Sequence, residues 1–333
     1  MKVCIYGAGA IGCWIGVKLA RAGHTLSVVA RGETLQALQR DGMRLGEGDA
    51  LHRVDCRASA DGRDLGPQDV VVIAVKAPAM AGISQGIAPL LGPSTLVMPA
   101  MNGVPWWFFN GFGGSLAETR LRAVDPDGAI ARAIPAAQVV GCVVHASCSL
   151  DAPAHARHHF GQGLIVGEPA GGPSSRVQDL ADLLASAGFD AKMSTQIQKD
   201  VWYKLWGNMT VNPVSALTGA TTDLILDDEL VRGFISRVML EARAIGERLG
   251  IPIEQQPEDR HAVTRRLGAF KTSMLQDVES GRAVELDALV AVVRELGELT
   301  ALPTPFTDTL LGLSRLHARM RGLYPWPETP RQP

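Results

Sequence analysis

The hydrophobic and polar positions at the start of the chain predict a strand, a tight turn, a helix and a second strand. Residues 2–6 form a short buried-strand pattern, and the helical stretch 13–22 ends at Gly23. Residues 24–30 return to a strand pattern. The turn contains three glycines, Gly7, Gly9 and Gly12. This order is typical of the first βαβ unit of a parallel sheet.

Further strands are predicted along the first half of the chain. Residues 69–75 form a nearly continuous β-branched run, which is typical of a strand covered on both faces, and residues 95–99 repeat the pattern. Residues 138–149 and 159–168 alternate like a pair of antiparallel strands. We expect this pair to close an N-terminal α/β domain.

From residue 174 onward the pattern becomes helical, with no strand-rich stretch. The predicted helices are 177–187, one around Lys204, 228–249, 258–269 and 285–300. We therefore predict an α/β domain over 1–195, an all-helical domain over 196–325 and a frayed Pro-rich tail over 326–333.

Composition and charge restrict the function classes. The chain has 333 residues, 46% hydrophobic and 20% charged, with a formal net charge of -2, which gives no electrostatic case for nucleic acid or an acidic membrane as partner. The five cysteines form no CxxC pair, and no run reaches the length of a membrane helix. We expect a cytoplasmic protein with reduced thiols and a small-molecule ligand.

The glycine-rich turn predicts a dinucleotide site. In Gly7-Ala8-Gly9-Ala10-Ile11-Gly12, the first glycine permits the turn and the second lets the backbone approach a pyrophosphate. The third lets the helix pack on the strand, and the phosphates lie at the helix N-terminus. A preceding strand and a following helix give this motif its proper context.

Arg31 stands where an NAD-binding protein would carry an acid for the ribose hydroxyls. A guanidinium suits a 2′-phosphate, so we expect NADP(H) as cofactor. Glu33 is close enough to keep NAD open as the alternative. Lys76 and Asn102 follow the strands at 69–75 and 95–99, and ligands lie beyond the carboxyl ends of such strands. We predict that both face the cofactor, although either residue could be an ordinary loop group.

The helix around Lys204 carries a polar stripe. Lys204, Asn208 and Asn212 are spaced at i, i+4 and i+8 among bulky apolar residues, so they share one face. A solvent face and a ligand site are the alternatives for such a stripe. Pro213 restricts the residue before it, and we therefore expect Asn212 to lie at a bend instead of on a straight helical face.

Downstream, Ser273 could bond a ligand or cap a turn. For Asp287 we favour stabilisation of a helix N-terminus, and Glu285 stays open on local grounds. Histidines 155, 158 and 159 have no Cys or carboxylate at ligand spacing, so we interpret them as surface residues and predict no metal site.

The segment 105–137 contains four consecutive aromatics, Trp106 to Phe109. Such a run could reach an interface, a substrate pocket or a lid, or it could pack a long loop. Together with the long helices, the aromatics are compatible with a homodimer.

Taken together, the glycine motif, Lys76, Asn102-Gly103, the Lys204–Asn208–Asn212 spacing, Ser273-Met-Leu-Gln-Asp277 and Val284-Glu285-Leu-Asp287 resemble the ketopantoate reductase family over nearly the whole chain. The resemblance implies a Rossmann domain, a helical domain of the 6-phosphogluconate-dehydrogenase-like type and a site in the cleft between them. The implied reaction is NADPH-dependent reduction of 2-dehydropantoate to (R)-pantoate, a step in pantothenate and coenzyme A synthesis.

The resemblance also implies residue roles. Lys204 matches the lysine that protonates the carbonyl oxygen, and Glu285 matches the acid that bonds the substrate hydroxyl. Other matched positions hold the substrate or NADP: Asn102, Asn208, Asn212 and Ser273 for the carboxylate and hydroxyl groups, and Arg31 and Lys76 for the cofactor.

The chain departs from the family after Asn102-Gly103, where the aromatic run and the long insertion follow. This departure leaves open a reductase for a bulkier 2-keto acid. A non-catalytic NADP-binding sensor is the alternative from another class.

Overall fold

The computed structural model describes residues 1–327, and two compact units divide the chain within its sixth helix. Unit 1 comprises Met1–Arg120 and Asp125–Val201, whereas unit 2 comprises Leu121–Val124 and the chain from Trp202 onward. The predicted domain boundary, between residues 195 and 196, lies a few residues before the observed division between Val201 and Trp202. The predicted tail, 326–333, lies outside the described residues except for its first two positions.

Unit 1 contains the strands β1–β10 and the helices α1–α5, and α6 begins at its end. The elements are β1 (Lys2–Tyr6), α1 (Ala10–Arg21), β2 (Thr25–Val29), α2 (Gly32–Asp41), β3 (Met43–Glu47), β4 (Ala50–Val54), β5 (Arg57–Ser59), β6 (Gln68–Ile73), α3 (Met80–Ser84), β7 (Leu91–Pro99), α4 (Ala129–Ala133), β8 (Gly141–Ala152), β9 (His155–Gly167), α5 (Ser175–Ser186), β10 (Asp190–Ser194) and α6 (Ile197–Thr218).

The first sheet of unit 1 has the order β5-β2-β1-β6-β7, and every neighbouring pair is parallel. Its central strands are buried on both faces because they consist almost entirely of Val, Ile and Cys. β2 lies on one side of β1 and β6 lies on the other, so the direction in which successive strands are added to the sheet reverses at β1. Ligands of such sheets bind at this point. The Rossmann-type prediction is confirmed.

A second sheet in unit 1 has the order β10-β9-β3-β4, with β8 paired antiparallel to β9. The predicted antiparallel pair is therefore confirmed with shifted ends. The prediction that no strand follows residue 174 is wrong, since β10 runs parallel to β9. Its residues are mostly polar and half-exposed, so the segment carries no apolar strand pattern.

In unit 2 the described residues form helices. After the main part of α6 come α7 (Thr222–Asp227), α8 (Glu229–Arg248), α9 (Pro257–Arg265), α10 (Ser273–Glu279), a π-helical turn (Asp287–Ala291), α11 (Val292–Leu299) and α12 (Pro305–Met320). The prediction of a helical second half is confirmed for this unit. No helix within residues 1–327 is long and apolar enough to span a membrane.

Leu121–Val124 belong to unit 2 although they lie between segments of unit 1. The carboxylate of Glu295 in α11 accepts hydrogen bonds from the backbone amides of Arg122 and Ala123, at 2.7 and 2.8 Å. The Leu121 side chain is buried. The insertion therefore supplies a short segment of the helical unit's own structure.

Candidate active site

The glycine-rich turn and the polar residues of unit 1 lie at one edge of the parallel sheet. Tyr6 at the end of β1 pairs with Val29 and with Ile73, and Ile73 pairs with Pro99. The carboxyl ends of four strands are therefore level with one another. The segments that follow them carry Gly7–Gly12, Arg31, Lys76 and Asn102, so the sheet brings all the predicted cofactor residues to the same edge.

Two of the three glycines of the turn, Gly7 and Gly12, are required by close packing. Gly7 has φ +101, and a Cβ there would meet the Val75 side chain at 2.5 Å. At Gly12 a Cβ would lie 2.1 Å from the carbonyl oxygen of Gly7, so any larger residue would push α1 away from the turn. Gly9 is the N-cap of α1, and no side chain bonds the helix end. The first amides of α1 can therefore meet a phosphate.

Arg31 is the N-cap residue of α2, two residues beyond β2, and its side chain is exposed. Burial raises the pKa of Tyr6, and the Arg31 charge counters that rise. The guanidinium is thus close enough to the end of β1 to influence its last residue. Lys76 and Asn102 are half-buried three residues beyond β6 and β7, and both make further polar interactions within the protein.

The residues at this edge fit NADP(H). A Cβ built on Gly9, the N-cap of α1, would have only the carbonyl oxygen of Ala74 within 4 Å, at 3.7 Å, so the space beside this glycine is open to a pyrophosphate. The first acid along the chain after β2 is Glu33, exposed in the first turn of α2, whereas Arg31 lies two residues beyond the strand. A cation there suits a 2′-phosphate.

The polar stripe of α6 lies on the side of the helix opposite the buried side chains of Trp202 and Trp206. Lys204 and Asn208 are half-buried and Asn212 is buried. Trp206 is fully buried and donates from Nε1 to the carbonyl oxygen of Met239 in α8, at 2.8 Å. This bond and the apolar face fix the helix in unit 2. The stripe is therefore not a freely solvated face, which favours the ligand interpretation.

The expectation that Asn212 lies outside helical geometry is wrong. α6 runs from Ile197 to Thr218 with Pro213 inside it, so Asn212 has helical geometry. The residues that follow, Val214 to Ala216, are buried, and Ser215 donates to the carbonyl oxygen of Ala220 at 2.6 Å. Packing of this last stretch outweighs the preference of a residue before proline for extended geometry. All three polar side chains thus lie on one continuous helix.

Ser273 is the first residue of α10 and is exposed. The side chain that caps this helix is that of Thr272, whose hydroxyl accepts from the amide of Leu275 at 3.2 Å. Since the cap does not depend on Ser273, its hydroxyl is available for a ligand. Thr222 donates to the carbonyl oxygens of Gly268 and Phe270, which ties the approach to α10 to the start of α7.

Glu285 is buried two residues before the π-helical turn, and its carbonyl oxygen accepts a hydrogen bond from the amide of Leu289 at 3.2 Å. Asp287 accepts from the Tyr324 hydroxyl at 2.5 Å, and burial raises the pKa of Asp287. The predicted helix 285–300 therefore begins with a wide turn, a feature that often occurs at functional sites. The expected role of Asp287, stabilisation of a helix N-terminus through the helix dipole, did not include its hydrogen bond with Tyr324.

The aromatic run of the insertion is part of the core of unit 1. Trp106 to Phe109 are all buried, and Gln198 fixes the backbone by donating to the carbonyl oxygens of Phe108 and Pro169. Of the alternatives, packing of a long loop fits this burial. Because these aromatics are buried within the chain, they give no support to a homodimer, and the homodimer itself stays a prediction.

The ring of His158 stacks on Trp14 with centroids 5.7 Å apart, so its interpretation as a surface residue is wrong. Within residues 1–327 no group of His, Cys, Asp or Glu is arranged to hold a metal ion.

The glycine turn on a parallel sheet, together with a lysine–amide stripe on a helical unit, defines a nicotinamide-nucleotide-dependent oxidoreductase of the Rossmann type. Family models for ketopantoate reductase match residues 3–171 with the N-terminal part and 196–318 with the C-terminal part. The chain belongs to the ketopantoate reductase family.

Known proteins resemble the whole chain. A 2-dehydropantoate 2-reductase of Mesorhizobium japonicum is 47% identical, over 97% of this chain and 100% of the relative. A crystal structure named for a ketopantoate reductase of Ralstonia solanacearum is 58% identical, with a TM-score of 0.94, 97% of this chain covered and 99% of the other. A ternary structure of D-mandelate dehydrogenase shares the fold, with 18% identity, a TM-score of 0.83 and coverage of 97% and 100%.

Proposed function

We propose that this protein reduces 2-dehydropantoate to (R)-pantoate with NADPH, as a cytoplasmic enzyme. The observation that carries the proposal is the stripe on α6, which combines one amine with two amides on a continuous, half-buried helical face. A keto acid needs a proton donor for its carbonyl oxygen and hydrogen-bond partners for its other oxygens. The 47% identity to a 2-dehydropantoate 2-reductase over the whole chain supports the same substrate.

Lys204 is the proton donor in this proposal. Bound NADPH supplies a hydride to the keto carbon, and negative charge then grows on the carbonyl oxygen. The Lys204 ammonium stabilises that charge and transfers a proton to the oxygen, which gives the alcohol. A proton from water restores the ammonium. Because the side chain is half-buried, its charge acts in a medium less polar than bulk water.

The other polar residues hold the substrate. Glu285 accepts a hydrogen bond from the substrate hydroxyl. The side-chain amides of Asn208 and Asn212 and the hydroxyl of Ser273 form hydrogen bonds with the carboxylate and hydroxyl groups of the substrate. In unit 1, the turn from Gly7 to Gly12 holds the pyrophosphate, Arg31 the 2′-phosphate, and Lys76 and Asn102 complete the cofactor contacts. Each assignment rests on the residue type and its place at a sheet edge or on a helix.

The test replaces Lys204 and measures NADPH oxidation with ketopantoate. We expect Lys204→Ala to lower kcat by about 100-fold or more, since a positioned general acid contributes that much. Lys199→Ala is the matched control, because Lys199 is exposed on the same helix. Turnover of Lys204→Ala close to that of Lys199→Ala would rule out Lys204 as the acid.

A substrate panel separates ketopantoate from bulkier 2-keto acids. The burial of Trp106 to Phe109 in unit 1 removes the argument for an aromatic pocket wall, so we expect ketopantoate to have the highest kcat/KM. A higher value for a larger acid would transfer the proposal to that substrate. Tight NADPH binding without turnover of any keto acid would favour a sensor instead.

A further inference from the structure

The C-terminal segment that follows α12 is bonded to the chain on both sides of Glu285. The carbonyl oxygen of Leu323 accepts a hydrogen bond from the amide of Val284 at 3.2 Å. The hydroxyl of the next residue, Tyr324, donates to Oδ1 of Asp287 at 2.5 Å. Two consecutive residues of this segment therefore hold the position directly before Glu285 and the position two residues after it.

The C-terminal segment is itself fixed to the end of α12. Leu323 is buried, and its amide donates to the carbonyl oxygen of Ala318 at 2.8 Å. The Nε of Arg319 donates to the carbonyl oxygen of Pro325 at 2.9 Å, and its guanidinium carbon lies 5.4 Å from the centre of the Tyr324 ring. The attraction between a guanidinium and the face of an aromatic ring restricts the ring. The position of the Tyr324 hydroxyl is therefore fixed by α12.

The backbone around Glu285 is irregular. Residues 282–285 belong to neither a helix nor a strand, and the turn that follows, Asp287–Ala291, is π-helical. The side chains of Val284, Glu285 and Leu286 are nevertheless buried. π-Helical turns are rare and often occur at functional sites, so regular helix geometry does not account for this one. The two bonds from the C-terminal segment restrict the backbone on both sides of Glu285.

Asp287 forms a strong bond with the C-terminal segment. At 2.5 Å, its hydrogen bond with Tyr324 has the length of a charge-assisted bond between a hydroxyl and a carboxylate. Burial raises the pKa of Asp287, whereas this hydrogen bond and the charges of Arg315 and Arg319 lower it. A half-buried carboxylate without its donor keeps the cost of desolvation. Loss of the hydroxyl would therefore favour a rearrangement of the turn that exposes Asp287 to water.

We propose that Tyr324 is a positioning residue that holds the Glu285 carboxylate in place for the hydroxyl group of the substrate. This inference rests on the proposed function, in which Glu285 accepts a hydrogen bond from that hydroxyl. Tyr324 acts through Asp287 and the turn, and not by touching the substrate. The C-terminal segment thereby determines specificity for hydroxylated 2-keto acids, because a displaced carboxylate weakens one substrate bond and leaves hydride and proton transfer intact.

The experiment measures Tyr324→Phe with two substrates, ketopantoate and its analogue in which a hydrogen replaces the hydroxyl group. We expect kcat/KM for ketopantoate to fall by about tenfold, mainly through a higher KM, because a bond to a charged group is weakened. For the analogue we expect kcat/KM to change less than about twofold, since it makes no such bond. KM for NADPH should stay unchanged.

Thr307→Val is the matched control, because it removes a hydroxyl that donates to the Glu241 carboxylate at 2.7 Å, at the other end of α12. Its effect on the melting temperature measures the loss of such a bond alone, and the ratio of kcat/KM between the two substrates should stay as in wild type. Equal losses on both substrates in Tyr324→Phe, or the same change of ratio in Thr307→Val, would overturn the positioning role.

A double-mutant cycle tests whether Tyr324 acts through Glu285. Glu285→Ala already removes the acceptor, so we expect the further change Tyr324→Phe to alter kcat/KM for ketopantoate less than about twofold in that background. A full further loss of about tenfold would mean that Tyr324 acts by another route, and would overturn the assignment.

Variants of Asp287 cover the case in which Tyr324→Phe does not fold. The amide oxygen of Asp287→Asn can still accept from Tyr324, so we expect the substrate ratio to stay within about threefold of wild type. Asp287→Ala has no acceptor and should lower the ratio by about tenfold. The same ratio in both variants would contradict a role for this hydrogen bond.

Failure of the proposed function looks different. If the wild-type protein reduces ketopantoate but Tyr324→Phe keeps the substrate ratio, only the Tyr324 assignment falls. If the wild-type protein binds pantoate, measured by calorimetry, without turnover of either keto acid, the proposed reaction falls. Unweakened binding of pantoate by Tyr324→Phe would then overturn the positioning role as well, whereas an affinity about tenfold lower would support it. If the wild-type protein neither binds pantoate nor reduces ketopantoate, both proposals fall.

Discussion

Glu168 and Arg176 form a two-point ion pair, with Nε 2.6 Å from Oε1 and Nη2 2.5 Å from Oε2. Arg176 also donates to the carbonyl oxygens of Ala137 and Val139. The pair therefore fastens the end of the insertion to the chain between β9 and α5.

The pair predicts a loss of stability in acid. The hydrogen bond from Arg176 lowers the pKa of Glu168 below its ordinary value of 4.5. A lowered folded-state pKa gives stability that is complete above 4.5 and disappears as the pH falls through the folded value. We expect Glu168→Gln to cost about 1–2 kcal/mol at pH 7 and much less near pH 3, measured by urea unfolding. A difference that grows in acid would contradict this account.

The glycine turn predicts unequal effects of adding one methyl group. Gly12→Ala places a Cβ 2.1 Å from a backbone oxygen, so we expect a loss of about 2 kcal/mol or more and weaker NADPH binding. Gly233→Ala is the control, because Gly233 lies in α8 with nothing within 4 Å of the added carbon. There we expect a gain of up to about 1 kcal/mol. Equal effects in thermal unfolding would refute the packing argument.

The position of Arg31 predicts cofactor preference. Arg31→Ala should raise KM for NADPH by about tenfold or more and leave KM for NADH nearly unchanged, because only NADPH carries the 2′-phosphate. Arg40→Ala on the same helix, where Arg40 pairs with Asp41 at the surface, should change neither constant. An unchanged KM for NADPH in Arg31→Ala would remove the guanidinium from the cofactor site.

The two hydrogen bonds between Glu295 and the segment 121–124 predict that Glu295 stabilises the folded protein. Its carboxylate is only 11% exposed and is the acceptor for two backbone amides. We expect Glu295→Ala to lower the free energy of unfolding by about 2–3 kcal/mol, because both amides lose a charged acceptor. Glu298→Ala, which removes an exposed pair with Arg294 on the same helix, should cost less than about 0.5 kcal/mol in the same assay.

The features that sequence predicts well here are local ones. The strand from Lys2 to Tyr6, the glycine turn and the spacing of Lys204 and Asn208 are all set by residues a few positions apart, and the structure has β1, α1 and α6 at these places. β10 was missed because its partner β9 lies more than 20 residues away and its own residues are polar.

Two further differences have the same physical origin. Pro213 disfavours a helical Asn212 locally, but burial of the residues after it keeps α6 intact. The hydrogen bond between Asp287 and Tyr324 joins positions 37 residues apart, so the residues around Asp287 in the sequence do not indicate it. What local patterns omit are pairings that only tertiary packing creates.

The assignment of Leu121–Val124 to unit 2 has a consequence for synthesis on the ribosome. The amides of Arg122 and Ala123 are made well before their acceptor, Glu295, leaves the exit tunnel. The parallel sheet of unit 1 can assemble in the meantime, while the amides of this short segment are hydrogen-bonded to water. A nascent chain arrested before residue 295 should therefore be cleaved by protease near residue 122, and the released full-length protein should resist cleavage there.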